Sequence, residues 1–158
     1  GAENQGFKVF MNNFNSERLG MSAQACAYAQ VCLEEALDWA RERKTFGMSL
    51  SERQVIRHKL MDMYARIDAA RSLVYDLAWR LRERVGEPSQ LVARTCMAKV
   101  LSTQAMQYCA DQAVQILGGM GFMRGTRSER IYREVKVMMI GGGSEEIMKD
   151  LSARQLGI

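Results

Sequence analysis

Three short segments carry residue types that a plain helical protein does not need. The first is the basic run Arg41, Glu42, Arg43, Lys44, Thr45, Phe46, Gly47, with Gln54 a little further on. Guanidinium groups pair in two-pronged fashion with phosphate oxygens, so this run suits a phosphate-bearing ligand. It equally suits a helix C-terminus, where basic side chains oppose the negative end of the dipole. The second is Gln115 to Phe122, with Gly118, Gly119 and Gly121 close together. Such glycines stop a helix, and they also let backbone amides approach a ligand closely. The third is Ile140 to Glu146, where Gly141, Gly142 and Gly143 precede Ser144, Glu145 and Glu146. Glycines before a helix N-terminus form an anion-binding contact when the amides point outward.

Other chemistries lack their residues. His58 is the only histidine and lies between Arg57 and Lys59, which leaves no His-based metal site and no Ser-His-Asp triad. Cys26, Cys32, Cys96 and Cys109 form no CxxC pair and read as buried free thiols. No metal ligand set is expected. The net charge of +4 is spread among acids and bases without an aromatic-interleaved basic stripe, so nucleic acid is not an expected partner. No apolar run is long enough to span a membrane. No basic stretch followed by an apolar core opens the chain, so no export signal is visible, and a bacterial cytoplasm or mitochondrial matrix is the expected compartment.

The elements that must position these segments are helices. Ile56, Leu60, Met63, Ile67, Ala70, Val74, Leu77 and Leu81 step by four and three, which places them on one helix face. Ser51 and Gln54 have capping-box spacing at its start, and Gly86, Glu87 and Pro88 end it. An earlier helix is expected from Ser16 to Arg43, with Leu19, Ala23, Cys26, Leu33, Leu37 and Ala40 inward. Its many small residues allow close helix approach. A third is expected from Ser89 to Leu117, with a broad apolar band of Val92, Met97, Val100, Leu101, Ala105, Tyr108, Ala113 and Ile116 that implies burial on more than one side. A shorter helix follows from Arg127 to Met138, with Glu129 and Arg133, and Arg130 and Glu134, spaced to pair. Ser144 is placed to cap a last helix whose first turn holds Glu145 and Glu146. The fold class is therefore all-α: an up-and-down bundle of the four-helix type with an extra short helix. The twelve methionines read first as core filler. Residues 1–15 read as a lead-in from an upstream domain, and 16–158 as the bundle.

Taken together, in this order and spacing, the segments resemble the C-terminal helical domain of the acyl-CoA dehydrogenases. That family carries RxxFG after the domain's first helix, matched by Arg43 to Gly47, and a Gln in the next helix, matched by Gln54. Its QxxGGxG[FY] is matched by Gln115 to Phe122, its ERxxR[DE]xK by Glu129 to Lys136, and its G[TS]x[EQ] by Gly143 to Glu146. The resemblance runs from about residue 16 to the end. It implies a flavoenzyme that desaturates fatty acyl-CoA thioesters, as in β-oxidation, with an N-terminal helical domain and a middle β-domain ahead of this bundle. It implies FAD shared between subunits of a homodimer, or of a homotetramer of two dimers, and an electron-transfer flavoprotein as redox partner. Carried over by position, Arg43, Thr45 and Gln54 contact the FAD across the subunit interface, Gln115, Gly118 and Gly119 line the same cofactor, and Ser144 and Glu146 meet the FAD of their own subunit.

The chemistry requires a general base that removes the α-proton of the thioester while hydride leaves the β-carbon. Many members of the family hold this Glu in the late glycine turn. The matching position is Gly142, which has no side chain. A second branch, resembling the isovaleryl and long-chain enzymes, places the Glu in an E-R-L sequence on the domain's first helix, here Glu17, Arg18 and Leu19. Glu17 is thus the expected base and Arg18 an expected part of the acyl-CoA pocket, with Gly142 beside it. The competing account of Glu17 is a first-turn acid favoured by the dipole of a helix capped at Ser16. At the level of function, the alternatives are an acyl-CoA oxidase-like flavoenzyme and a non-catalytic helical interaction domain of the same fold.

Overall fold

A computed structural model describes residues 2–158, apart from the side chains of Lys8 and Asn12. Three long helices run α1 (Gly6–Glu42), α2 (Gln54–Glu83) and α3 (Pro88–Leu117), followed by the single-turn α4 (Gly119–Phe122), then α5 (Arg127–Ile140) and α6 (Glu145–Leu156). Between α1 and α2 lie two paired two-residue strands, β1 (Lys44–Thr45) and β2 (Met48–Ser49), and a 3₁₀ turn over Leu50–Glu52.

Pairs between helices give the directions. Asp62 accepts from the Tyr108 hydroxyl and Asp76 accepts from Arg94, so α2 runs antiparallel to α3. Cys26 bonds Ser102 while Trp39 lines a groove with Ile116, so α1 runs parallel to α3. Lys99 reaches Met139 at the end of α5, Gln104 reaches Glu145 at the start of α6, and Ser152 reaches Ala93. Both α5 and α6 therefore run antiparallel to α3, one following the other along it. They form one fourth helix, broken at residues 141–144. The bundle is up-down-up-down, and its last member is in two pieces.

The α3 helix is the centre: half of its 30 residues are buried. It meets α1 through small side chains, Ala25, Ala29, Cys32 and Ala36 on one side and Cys109, Ala110 and Ala113 on the other, all fully buried. Small residues bring the two backbones together and leave little room for water. The larger volume comes from α2, where Met63, Ile67 and Leu77 are at most 2% exposed, each side chain worth about 1.5–3 kcal/mol by removal from water. All four cysteines are buried and free, and burial pushes the Cys32 and Cys109 thiols up to about 12.

Several expected boundaries move. The first helix begins at Gly6, not Ser16. Phe7, Phe10 and Phe14 repeat at helical spacing, and the Phe10 and Phe14 rings meet edge to face at 4.4 Å, so the helical pattern extends upstream of the expected cap. The capping box is Ser49 with Glu52 rather than Ser51 with Gln54: the Glu52 carboxylate accepts from the Ser49 amide at 2.9 Å, and Gln54 opens α2. Pro88 takes the first position of α3, where its missing N–H costs nothing. On the α1 and α3 faces Ala23 and Leu101 are exposed, not inward. Glu129 pairs with Arg133 as the spacing requires, whereas Arg130 with Glu134 is not among the ion pairs of the described residues.

Candidate functional site

The bundle gathers the expected residues at two places, not one. The first is a groove at the end of the bundle where α1 and α3 stop. Trp39, Arg43, Thr45, Gly118, Gly119 and Met120 line it. Arg43 is the C-cap of α1; its amide donates to the Trp39 carbonyl at 2.9 Å and its own carbonyl accepts from the Leu50 amide at 2.9 Å. The backbone of Arg43 is thus pinned on both sides while its side chain is exposed. Thr45 pairs with Met48 across the hairpin, and Arg53 donates to the Thr45 carbonyl at 2.8 Å. The tip places Phe46 and Gly47 at φ 51° and 77°, which leaves the Phe46 ring 97% exposed in a conformation that bulky residues rarely adopt.

On the other wall, Gly118 ends α3 at φ 61° and ψ −129°, a region open only to glycine. A Cβ added at Gly118 or Gly119 would meet nothing within 4 Å. These two glycines therefore leave space on the groove side rather than filling a gap in the fold. Gly121 is different: its added Cβ would lie 2.4 Å from the Val114 carbonyl oxygen, so it is required by the packing of α4 on α3. The Trp39 indole N–H is buried with no hydrogen-bond partner among the described residues. Gln54 and Gln115 are exposed and do not line this groove. A guanidinium, a hydroxyl, an indole donor without a partner and open glycine backbone make a donor set that fits the anionic and polar parts of FAD.

The second place is the break in the fourth helix. Arg18 is buried, and its Nε donates to the Gly142 carbonyl at 2.9 Å while Nη1 donates to the Asn15 side chain at 3.3 Å. Lys99 is 1% exposed, and its ammonium donates to the carbonyls of Met139 at 2.7 Å and Gly143 at 2.6 Å. Gly142 and Gly143 have φ of 69° and 120°; a Cβ would lie 2.9 Å from the Met21 sulfur at the first and 2.4 Å from the Met148 methyl at the second. Ser144 occupies the N-cap of α6 without a side-chain capping bond, half-buried, and Glu146 is exposed in the first turn. The backbone amide of Glu146 holds its carboxyl below the ordinary value. Glu145 is occupied, accepting from Gln104 at 2.8 Å and Lys149 at 2.5 Å.

Glu17 stands on the same turn of α1 as Arg18, exposed, and accepts from the Asn13 side chain at 2.6 Å. Because α1 starts at Gly6, Glu17 is in the fourth turn and is not a first-turn acid, which removes the dipole account of it. Met21 and Arg18, one turn and one residue on from Glu17, both touch the Gly142 position. Position 17 is thus the chain neighbour of the arginine that bonds Gly142, and of the two positions at which a base was considered only 17 carries a carboxylate.

The two places are far apart. Arg18 and Arg43 are separated by about 37 Å along α1 at 1.5 Å per residue. No single pyrophosphate of one cofactor is reached from both ends of one bundle. Lys99, Trp39 and Glu35 were not singled out from the sequence. Lys99 shares a helix face with Cys96, Thr103 and Met106, and that spacing is the signal that marks it as inward. Among the described residues there is no cluster of three or more His, Cys, Asp or Glu side chains able to hold a metal ion, and no helix is long and apolar enough to cross a membrane.

Known proteins share the sequence and fold of this bundle. The family description "Acyl-CoA dehydrogenase, C-terminal domain" matches residues 4–157. The acyl-CoA dehydrogenase apdG of Emericella nidulans is 37% identical over 99% of this chain and 37% of its own length. Butyryl-CoA dehydrogenase from Megasphaera elsdenii superimposes with a TM-score of 0.94 at 31% identity, over all of this chain and 40% of that one. A structure described as electron transferring flavoprotein of Acidaminococcus fermentans matches with a TM-score of 0.93 at 33% identity, over 99% of this chain and 40% of that one. The chain thus spans about two fifths of the length of the proteins it matches.

Proposed function

The chain belongs to the acyl-CoA dehydrogenase family, as its C-terminal domain, and on that footing we propose that it is the helical C-terminal part of an FAD-dependent enzyme that removes hydrogen from the α and β carbons of an acyl-CoA thioester. What supports this reading is the bond from Arg18 to the Gly142 carbonyl at the break in the fourth helix, with Glu17 the residue before Arg18 in α1. The glycine turn has no room for a side chain at 142 without moving Met21, and the E-R-L sequence of α1 carries a carboxylate next to the arginine that bonds this turn.

In this reading Glu17 accepts the α-proton at its carboxylate. Arg18 holds the turn through the Gly142 carbonyl, so the wall that faces the thioester does not shift as charge develops. When bound, FAD supplies the acceptor for the hydride that leaves the β-carbon. A base of this kind works best where burial raises its affinity for the proton, and this bundle leaves Glu17 exposed. The covering surface has to come from the rest of the protein and from the substrate.

The separation of the two candidate places supports a shared cofactor. Arg43, Thr45, Gln54, Gln115, Gly118 and Gly119 serve the FAD of a partner subunit, and Ser144 and Glu146 serve the FAD of their own. The protein is accordingly a homodimer, or a tetramer of such dimers, that hands its electrons to an electron-transfer flavoprotein. By itself the 158-residue bundle folds, holds FAD weakly and does not turn over.

The test is anaerobic reduction of the flavin in the full-length protein by a panel of acyl-CoAs. Bleaching of the flavin band is expected. Loss of the base in Glu17→Gln lowers the reduction rate by about 10²–10⁴-fold. A colourless full-length protein sinks the enzyme reading. A Glu17→Gln enzyme reduced at the normal rate sinks the assignment of the base.

A further inference from the structure

The mechanism above leaves unused a buried charged group that has no ion-pair partner among the described residues. Lys99 lies in the middle of α3, is 1% exposed, and has no carboxylate partner among the ion pairs of the described residues. Burial and the neighbouring Arg18 charge push its ammonium below the ordinary range, while Glu145 pulls it back up. A methionine or leucine would fill the same volume without that penalty, so the charge is kept for what it contacts.

Those contacts span the break. The Met139 carbonyl belongs to the last turn of α5 and is one of the acceptors that any helix end leaves free. The Gly143 carbonyl is past the end of α5, directly before the N-cap of α6, and plays no part in capping α5. One ammonium therefore ties the end of one helix to the start of the next. Arg18 holds the intervening Gly142 carbonyl from the α1 side. The Gly143 amide is taken by the Ile140 carbonyl at 3.2 Å. The Ser144 amide, like that of Gly142, has no hydrogen-bond partner among the described residues. In a trans peptide C=O and N–H point in opposite directions. With the Gly143 carbonyl drawn onto Lys99 in α3, the Ser144 N–H must point away from α3 and out of the bundle.

We propose that Lys99 is the positioning residue of the broken fourth helix: by gripping the Met139 and Gly143 carbonyls it fixes the direction of the Ser144 amide, and with it the wall of the flavin and acyl-thioester site formed by residues 142–146. The proposal rests on the functional reading above for what the wall faces, but not for how it is held. Two glycines with positive φ have a wide choice of backbone angles, and the two buried cations select one of them.

The experiment uses the full-length protein and Lys99→Met, which keeps the length of the side chain and removes the ammonium. In flavin-free protein, hydrogen exchange across 141–146 is expected to quicken by about tenfold or more, with the α1, α2 and α3 amides protected as before. In loaded protein, kcat for flavin reduction falls on the order of tenfold to a hundredfold while KM for acyl-CoA moves less, the signature of a displaced wall. Lys99→Arg, which keeps a donor of the same charge, recovers part of both. Should Lys99→Met fail to fold, Lys99→Gln replaces it with the same readouts. Exchange that quickens uniformly over the whole bundle assigns Lys99 to stability alone and overturns the proposal, as does wild-type exchange at the turn. If the wild-type flavin is reduced by no acyl-CoA, the functional reading fails, and the exchange result still decides the role of Lys99.

Discussion

The two glycine turns of this bundle look alike in sequence and differ in what surrounds them. Around Gly118 and Gly119 a missing Cβ leaves open space, the neighbouring Arg43 side chain is exposed, and an indole N–H goes without a partner. Around Gly142 and Gly143 the space is filled by Met21 and Met148, and the carbonyls are taken by two buried cations. The first turn leaves the Arg43 donors and its own backbone open to the outside of the bundle. The second is a fixed wall that the bundle builds for itself. Glycine serves opposite purposes in the two: at 119 it withholds a side chain from a groove, and at 143 it yields to a methionine already there.

Substitutions can break or sharpen that contrast. The largest effect on stability is expected for Gly143→Ala, whose methyl meets the Met148 terminal carbon and whose φ of 120° suits no L side chain. A loss of about 2–3 kcal/mol is expected in urea denaturation of the 158-residue bundle followed by circular dichroism. A neutral result would show that the second turn is not held as tightly as its contacts imply. Arg43→Ala should do the reverse. The exposed side chain contributes little to folding, so the denaturation midpoint stays put, while FAD affinity of the full-length protein, read by titration of the flavin band, weakens by about 2 kcal/mol for a lost charged contact to phosphate.

An intermediate effect concerns how the open turn is anchored. Glu35 on α1 accepts from the amides of Arg127 and Ser128 at 3.0 and 2.7 Å, holding the start of α5 just after the first glycine cluster. Burial alone would push its carboxyl up, but hydrogen bonds from Ser128 and Arg127 hold it below the ordinary value of 4.5. The folded-state pKa is the lower one, so the stabilisation is fully present above the unfolded value and is lost as pH falls through the folded value. Glu35→Gln is expected to cost about 1–2 kcal/mol at neutral pH. The gap to wild type should close as the pH drops below about 4. A gap that stays constant in acid would show that the carboxylate charge is not what anchors α5. The smallest effect is expected at Gly119→Ala. With nothing within 4 Å and an ordinary φ, stability should stay within about 0.5 kcal/mol of wild type. The added methyl intrudes on the groove, so FAD binding should still weaken. An unchanged flavin affinity would mean that the cofactor does not approach this glycine.

The sequence by itself determined the parts that follow from local rules. Steps of four and three along α2 place Leu60, Met63, Ile67, Ala70, Val74 and Leu77 on a buried face, as the structure has them. The breaks between helices fall where Gly86 with Pro88, Gly118, and Gly141 to Gly143 stand, because glycine and proline act on the backbone directly. The family was legible too, since its motifs are runs of neighbouring residues. Tertiary structure alone decided which of those residues stand together. Arg43 shares a groove with Gly118 because α1 and α3 run parallel and end together, and Arg18 meets Gly142 because the broken fourth helix returns antiparallel to α1. Lys99 is the sharpest case. Its spacing with Cys96, Thr103 and Met106 points inward, yet the charge of a lysine is ordinarily a sign of water, and nothing local says what would receive it. Its burial depends on α5 and α6 lying end to end across α3 with a gap that presents carbonyls, and that gap exists only once four helices have packed.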